Sequence, residues 1–409
     1  MLSLHSPALR IRLALLLGCT GAAFPARAVT VPFAYVSNKH SNNVSVINTA
    51  TKQVTTSINV GESPSGVAAS PASHFVYVVN GSDQSNSVSV IDTRTETVVQ
   101  TIGVGLNPLG VASAPDGSFV YVTNTSANTV SIIDTETNAV HTLGVGSSPA
   151  GIALTPDGGL VYVANTQNLE SPAHGNVSVI DTSADKVVAT VGAGNNPFAV
   201  AVTPDGRFAY VTNSNSEDTA GPGTVSVIAI DTNTVVATVP VGRNPLGIAI
   251  TPDGSSAYVT DFYDNQVSVI DIGTNQVTGS VDVGNNPLGV AITPHGRFVY
   301  VLNRQPLSTA ALGNVSVIDT RTNQVVATVP AGDNPTGIGI ALVDVPGCAG
   351  DCNDDGVVTI NELLTGINIA LGNEPLTDCP GFDIDGDGEV TVDDLLAAVE
   401  AALNGCSAP

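Results

Sequence analysis

Two twelve-residue segments near the C-terminus carry oxygen donors at alternating positions. The first is Asp351-Cys-Asn-Asp-Asp-Gly-Val-Val-Thr-Ile-Asn-Glu362, in which Asp351, Asn353, Asp355, Thr359 and Glu362 offer side-chain oxygens and Val357 offers its carbonyl. Spacing of this kind wraps one tight loop around a hard cation that takes roughly six to eight oxygens, with Gly356 at the sharp turn. The second segment repeats the arrangement in register through Asp383, Asp385, Asp387, Thr391 and Asp394, with Glu389 acting through its carbonyl. The chemistry expected of the pair is the binding of two Ca2+ ions.

The surroundings fit that expectation. Residues 344–409 hold 14 acids and no Lys or Arg, so their carboxylates repel one another until a cation intervenes. Each loop leads into an amphipathic helical pattern, 362–371 with Leu363, Leu364, Ile367 and Leu371, and 394–403 with Leu395, Leu396, Val399 and Leu403. Cys348, Cys352, Cys379 and Cys406 make an even count in the same tail, which in an exported chain favours two disulfides, with three connectivities open. Loop, helix, linker, loop, helix resembles a dockerin module over residues 350–405. The resemblance implies calcium-dependent docking onto a protein or cell-surface partner, a cohesin-like one among the candidates. At the partner-reading positions, however, Ile360-Asn361 and Val392-Asp393 replace the Ser-Thr type common in cellulosomal dockerins.

The scaffold that precedes this tail is a repeat. Tyr35, Tyr77, Tyr121, Tyr162, Tyr210, Tyr258 and Tyr300 stand at intervals of 42, 44, 41, 48, 48 and 42 residues, each followed by Val. Every unit holds four short runs of strand character, A to D, bounded by Gly, Pro, Asn and Asp, as hairpin-connected antiparallel sheet requires. Asp116, Asp157, Asp205 and Asp253 sit in P-D-G turns between A and B, and D-T-x-T-N turns join C to D, so these aspartates are read as turn residues rather than as a catalytic set. Four-stranded units that cannot cover their own faces predict an all-β, seven-bladed propeller. Tyr121-Val-Thr-Asn124, Tyr210-Val-Thr-Asn213 and their variants resemble YVTN-family propeller repeats across residues 29–343. The first unit lacks strand A and residues 337–343 are a strand A with no B, so the C-terminal strand is expected to complete the first blade.

Loop lengths then separate two faces. The A–B and C–D turns are nearly constant, whereas the B–C loops range from five residues to eleven, which marks the face bearing the B–C and D–A connections as the place for recognition. Candidates there are Asn107, Asn196, Asn244, Asn286 and Asn334 in the recurring N-P turns, with Glu170, His174, Glu217 and Asp218 in the long loops. The alternative reading of those asparagines is that they cap the turn before proline.

Composition narrows the function. Hydrophobic residues make up 43 % with no Trp, so the core must be built from many small β-branched contacts. A net charge of −24 disfavours nucleic acid as a partner. Arg10 and Arg12, the apolar 13–17 and Ala26-Arg27-Ala28 read as a secretory signal over 1–28, with lipidation at Cys19 the minor alternative. The expected organisation is therefore signal 1–28, propeller 29–343, linker 344–349 and calcium module 350–409, monomeric in its propeller and with no transmembrane helix in the mature chain. The leading expectation is an exported binding protein, secreted, surface-held or periplasmic. A lactonase-like hydrolase with charged residues gathered at the channel mouth and a surface-layer structural role are the alternatives. No catalytic motif stands in the sequence.

Overall fold

The computed structural model describes residues 28–82, 85–166, 175–214, 221–304, 312–346, 350–352, 357–376, 379–383 and 389–404. The expected leader and Cys19 lie outside them. The chain divides into two compact units, the larger built on Val29–Val345 and the smaller including Val358–Pro409.

The larger unit is a propeller of seven four-stranded sheets. Blades 2 to 7 span 64–103, 108–144, 149–192, 197–240, 245–282 and 287–330. Blade 1 is composite: Pro335–Pro346 serves as its strand A and lies beside Ala28–Asn38, followed by Asn43–Asn48 and Gln53–Asn59. The ring thus closes by joining the two ends of the repeat region, as the missing strand A of the first unit requires.

The core lies between blades. One cluster packs Tyr162, Val177 and Val179 of blade 4 against Val200, Val211 and Ile228 of blade 5, and equivalent clusters fill the other six interfaces. Small β-branched residues suit this job because each blade must cover its neighbour at close sheet-to-sheet distance. Alternation along the closing strand serves two interfaces at once. Ile338 and Ile340 pack against blade 7, while Ala341 and Val343 join the cluster with blade 2.

The Tyr-Val-Thr-Asn phrase specifies how blades are tied. The tyrosine hydroxyl reaches the C–D turn of the next blade: Tyr162 donates to Asn233 Oδ1 at 2.8 Å, Tyr210 to Asn275 at 2.6 Å, Tyr258 to Asn323 at 2.7 Å, and Tyr300 to the Thr49 carbonyl at 3.1 Å. Threonine ties the inner strands. Thr123 donates to the Ala150 carbonyl at 2.7 Å, Thr212 to Leu246 at 2.9 Å and Thr260 to Leu288 at 2.8 Å. Those carbonyls are free to accept because strand A is bulged there: in blade 4 Pro149 pairs Asn165 and Ile152 pairs Val163, leaving Ala150 and Gly151 against one partner. Gly151 and Gly247 are required by the same approach, since an added Cβ would run into the next blade's Phe198 or Leu288 carbonyl. Asparagine works within its blade, as when Asn165 Nδ2 donates to Ser178 Oγ at 2.9 Å and to Asn176 Oδ1 at 2.8 Å.

One tie is broken. Tyr35 Oη is buried with no hydrogen-bond partner, and the residue at the position taken elsewhere by Asn233, Asn275 or Asn323 is Glu96, which holds a left-handed backbone at φ 53°. Burial pushes the Tyr35 hydroxyl pKa up, with Glu96 and Asp92 adding repulsion, and burial also raises Glu96. Glu96→Asn would supply the acceptor, remove the charge and suit the left-handed conformation. Urea unfolding should show the variant more stable by roughly 1–2 kcal/mol. Unchanged or lower stability would contradict this account of the tyrosine.

The smaller unit contains α1 (Ile360–Ala370) and α2 (Val392–Asn404), close to the two expected helices. Thr359 caps α1, and Thr359 with Glu362 forms a reciprocal capping box. Cys352 and Cys379 form a disulfide with Cα atoms 4.6 Å apart, which selects one bond from the open connectivities. Cys348 and Cys406 lie outside the described residues. Among the described residues no helix is long and apolar enough to cross a membrane.

Candidate functional site

Strand A of every blade contributes an x-Gly/Ala-Val/Ile triplet to the wall of a central channel of about 500 Å³, from Ser65-Gly66-Val67 in blade 2 round to Thr336-Gly337-Ile338 in blade 1. The first residue of each triplet varies: Leu109, Phe198, Leu246 and Leu288 are large and apolar, whereas Ser65, Ala150 and Thr336 are small. Blades 5, 6 and 7 thus present three consecutive large apolar residues, while the small ones come from blades 1, 2 and 4.

The mouth on the B–C side is more specific. The residue that follows the repeat's Asn or Asp is Lys39, Gly81, Thr125, Thr166, Ser214, Phe262 or Arg304 in blades 1 to 7. Only Lys39, Phe262 and Arg304, from three consecutive blades, line the channel. Arg304 Nε is buried without a hydrogen-bond partner, and desolvation depresses the guanidinium pKa. Phe262 stacks edge-on with Tyr263 at 5.3 Å, and the backbone beneath is held by Arg243, whose Nη2 donates to the Tyr263 carbonyl at 3.1 Å beside its ion pair with Asp264.

Just below this mouth, Asp261 stands where other blades carry the clamping Asn. Its Oδ2 accepts from Ser268 Oγ at 2.6 Å, it is 1 % exposed, and burial, aided by Asp264, raises its pKa to about 7. Asparagine provides the clamp as a neutral amide, whereas a carboxyl group is neutral here only when protonated.

The asparagines expected on this face are built into its turns. Asn107, Asn196, Asn244, Asn286 and Asn334 all take left-handed backbone, with φ between 45° and 58°. Their carbonyls accept the amides of Thr125, Ser214, Phe262, Arg304 and Lys39 from the adjoining B–C loop. They are turn caps that hold the loop face in shape, and of the five only Asn244 lines the channel. Glu170, His174, Glu217 and Asp218 lie outside the described residues. The P-D-G aspartates are turn residues: Asp157 Oδ1 accepts from Gly159 N at 3.0 Å and Asp205 Oδ1 from Arg207 N at 3.0 Å, and hydrogen bonds lower the pKa of both. Among the described residues no three His, Cys, Asp or Glu side chains are grouped to hold a metal ion.

In the tail, the two segments expected to bind Ca2+ are described only in part, with Asn353, Asp355, Asp385 and Asp387 outside the described residues. The carboxylates at their outer positions are buried: Asp351 is 3 %, Glu362 7 % and Asp394 4 % exposed. Glu362 accepts from the Cys352 and Thr359 amides at 3.0 and 2.7 Å, and Asp394 from the Thr391 amide at 2.8 Å. Burying these carboxylates in a segment without Lys or Arg is costly unless a cation offsets it, so the donor set fits a hard divalent ion. Val357 and Glu389 stand at the carbonyl positions and Asp383 opens the second segment, while Thr359 and Thr391 each turn their hydroxyl toward the terminal carboxylate.

The helices depart from expectation in what they cover. Leu363 and Leu395 pack around Phe382, Cys379 and Ala398, but Ile360, Leu364, Ile367 and Leu371 are exposed along α1. Val392, Leu396, Val399 and Leu403 are exposed along α2 at the same spacing. The helices bury their other apolar edge because the small residues Gly366 and Ala398 admit Phe382 between them.

The sequence reading missed Lys39, Phe262, Arg304 and Asp261. Each could have been found by aligning the repeats and asking which residue departs from its column. No family model matches the chain, and no curated protein matches it. Solved structures do. A hydrazine synthase from Kuenenia stuttgartiensis superposes with a TM-score of 0.64 at 23 % identity, covering 75 % of this chain and 99 % of that one. The dihydro-heme d1 dehydrogenase NirN in complex with DHE gives a TM-score of 0.55 at 15 % identity, covering 75 % and 74 %. At these identities the likeness establishes the seven-bladed propeller fold.

Proposed function

We propose that this chain is an exported binding protein whose propeller takes its ligand at the B–C mouth of the channel and whose tail docks the molecule elsewhere in a calcium-dependent way. The observation that carries the reading is the asymmetry of the mouth: seven near-identical blades place Lys39, Phe262 and Arg304 side by side, with nothing comparable opposite among the described residues. A repeat built only as a spacer has no use for that departure. A lactonase-like hydrolase would need three or more carboxylates or histidines converging on the axis, and the described channel wall is aliphatic with two cations.

Docking is supported by the duplicated apolar rows on α1 and α2, each about 17 Å long by the helical rise of 1.5 Å per residue. A cohesin-like protein is one candidate partner. Two Ca2+ ions would be held by Asp351, Asn353, Asp355, Val357, Thr359 and Glu362, and by Asp383, Asp385, Asp387, Glu389, Thr391 and Asp394. The secretory signal read from the sequence over 1–28 and the disulfide Cys352–Cys379 both suit export to an oxidising compartment.

Chelation tests the calcium half. In EGTA the far-ultraviolet helix signal should fall and protease should cut within 350–409, while the propeller melts as before; both effects should reverse on adding Ca2+. A helix signal indifferent to EGTA would remove calcium from the account.

A further inference from the structure

The nine basic residues of 29–343 are a scarce resource in a chain of net charge −24, and most are committed. Arg94, Arg243, Arg297 and Arg321 are in ion pairs with Asp92, Asp264 and Asp319. Lys52 and Arg207 lie over the rings of Phe298 and Phe208. Lys39, Lys186 and Arg304 have no ion-pair partner among the described residues, and of these Lys39 and Arg304 face the channel mouth from adjacent blades.

Arg304 is the sharper observation. A guanidinium whose Nε–H is buried and unbonded has lost its water without gaining an acceptor, a costly arrangement that a bound anion would relieve. The planar fork of Arg matches a carboxylate through two parallel hydrogen bonds, and Lys39 adds a second positive charge. Beside them the wall turns apolar and aromatic, with Phe262 at the rim and Leu246, Leu288 and Phe198 deeper. A cavity of about 500 Å³ is the size of a small-molecule site.

We infer that the channel mouth binds a small amphipathic organic anion, its carboxylate held by Arg304 and Lys39 and its flat apolar body laid against Phe262 and the Leu246–Leu288 side of the wall. This rests on the reading of the propeller as a binding protein and names the class of its ligand. The channel supplies shape and desolvation, and the two cations supply orientation. Among the described residues that line the channel, blades 2 to 5 contribute no charge, so the ligand enters with its anionic end toward blades 7 and 1.

Calorimetric titration of the full chain with 2-naphthoate and with 2-naphthamide distinguishes the parts of the inference, because the two probes share shape and differ in charge. The expected result is binding of naphthoate about tenfold or more tighter than naphthamide, the size of one charge-assisted bond. Arg304→Gln and Lys39→Gln should each abolish most of that preference with the melting temperature unchanged. Should Arg304→Gln fail to fold, Lys39→Gln and the salt dependence of naphthoate binding carry the same information. Equal binding of the two probes, weakened by Phe262→Ala, would overturn the anion inference and leave the binding reading standing. Failure of both probes to bind at millimolar concentration would overturn both.

Discussion

The wild-type chain is expected to lose stability as the pH rises through about 7, and Asp261→Asn is expected to abolish that loss. Asp261 moves from an ordinary carboxyl pKa of 3.8 to about 7 in the folded state, so between those values the native protein holds a proton that the unfolded chain has released. A raised folded-state pKa contributes stability that is complete at low pH and disappears as the pH climbs through the folded value. The shift corresponds to on the order of 4 kcal/mol between pH of about 4 and about 8. Turn and ion-paired carboxylates such as Asp92, lowered to about 2 chiefly by its hydrogen bonds with Arg94, act in the opposite sense and only below pH of about 4. The wild type should therefore be most stable in mildly acid solution. Asn at 261 would donate to Ser268 as Asn165 does to Ser178, without a proton to lose. Urea midpoints at several pH values check this. Equal pH slopes in the two proteins would mean that Asp261 is not the titrating group.

Removing residues 337–343 should be the most damaging change to the ring. The closing strand supplies Ile338 and Ile340 to one inter-blade core and Ala341 and Val343 to another, so its loss opens two interfaces and exposes the edge of Ala28–Asn38. Four apolar side chains and a row of main-chain hydrogen bonds correspond to roughly 5–10 kcal/mol. Thermal unfolding should shift downward steeply or show the ring failing to assemble. A melting curve like that of the intact chain would mean that the ends are not what closes the propeller.

Much of the scaffold was legible because repetition makes each position its own control. The Tyr marks gave blade number, the missing strand A gave the closure, and P-D-G and D-T-x-T-N gave turns that the structure bears out. What a single repeat could not show is the direction in which Tyr and Thr reach, since their partners stand in the next blade, 65 residues on for Tyr210 and 34 for Thr212. The site was harder for a physical reason. Attention went to residues that recur, and recurrence at Asn107 or Asn196 goes with a backbone held at positive φ before proline. Lys39, Phe262 and Arg304 break the pattern, and only closure of the ring makes blades 6, 7 and 1 neighbours. The helices teach a similar lesson: the apolar stripe predicted which residues were apolar, but Phe382 and the gap at Gly366 decided which edge was buried.

Hydrogen–deuterium exchange on the full chain, with and without saturating 2-naphthoate, tests the location of binding most directly. The account predicts slowed exchange in residues 38–40, 260–263 and 302–304 and in the adjoining inner strands, with the P-D-G turns on the opposite face unchanged. Protection confined to those turns or to the tail, with the channel mouth unaffected, would contradict it.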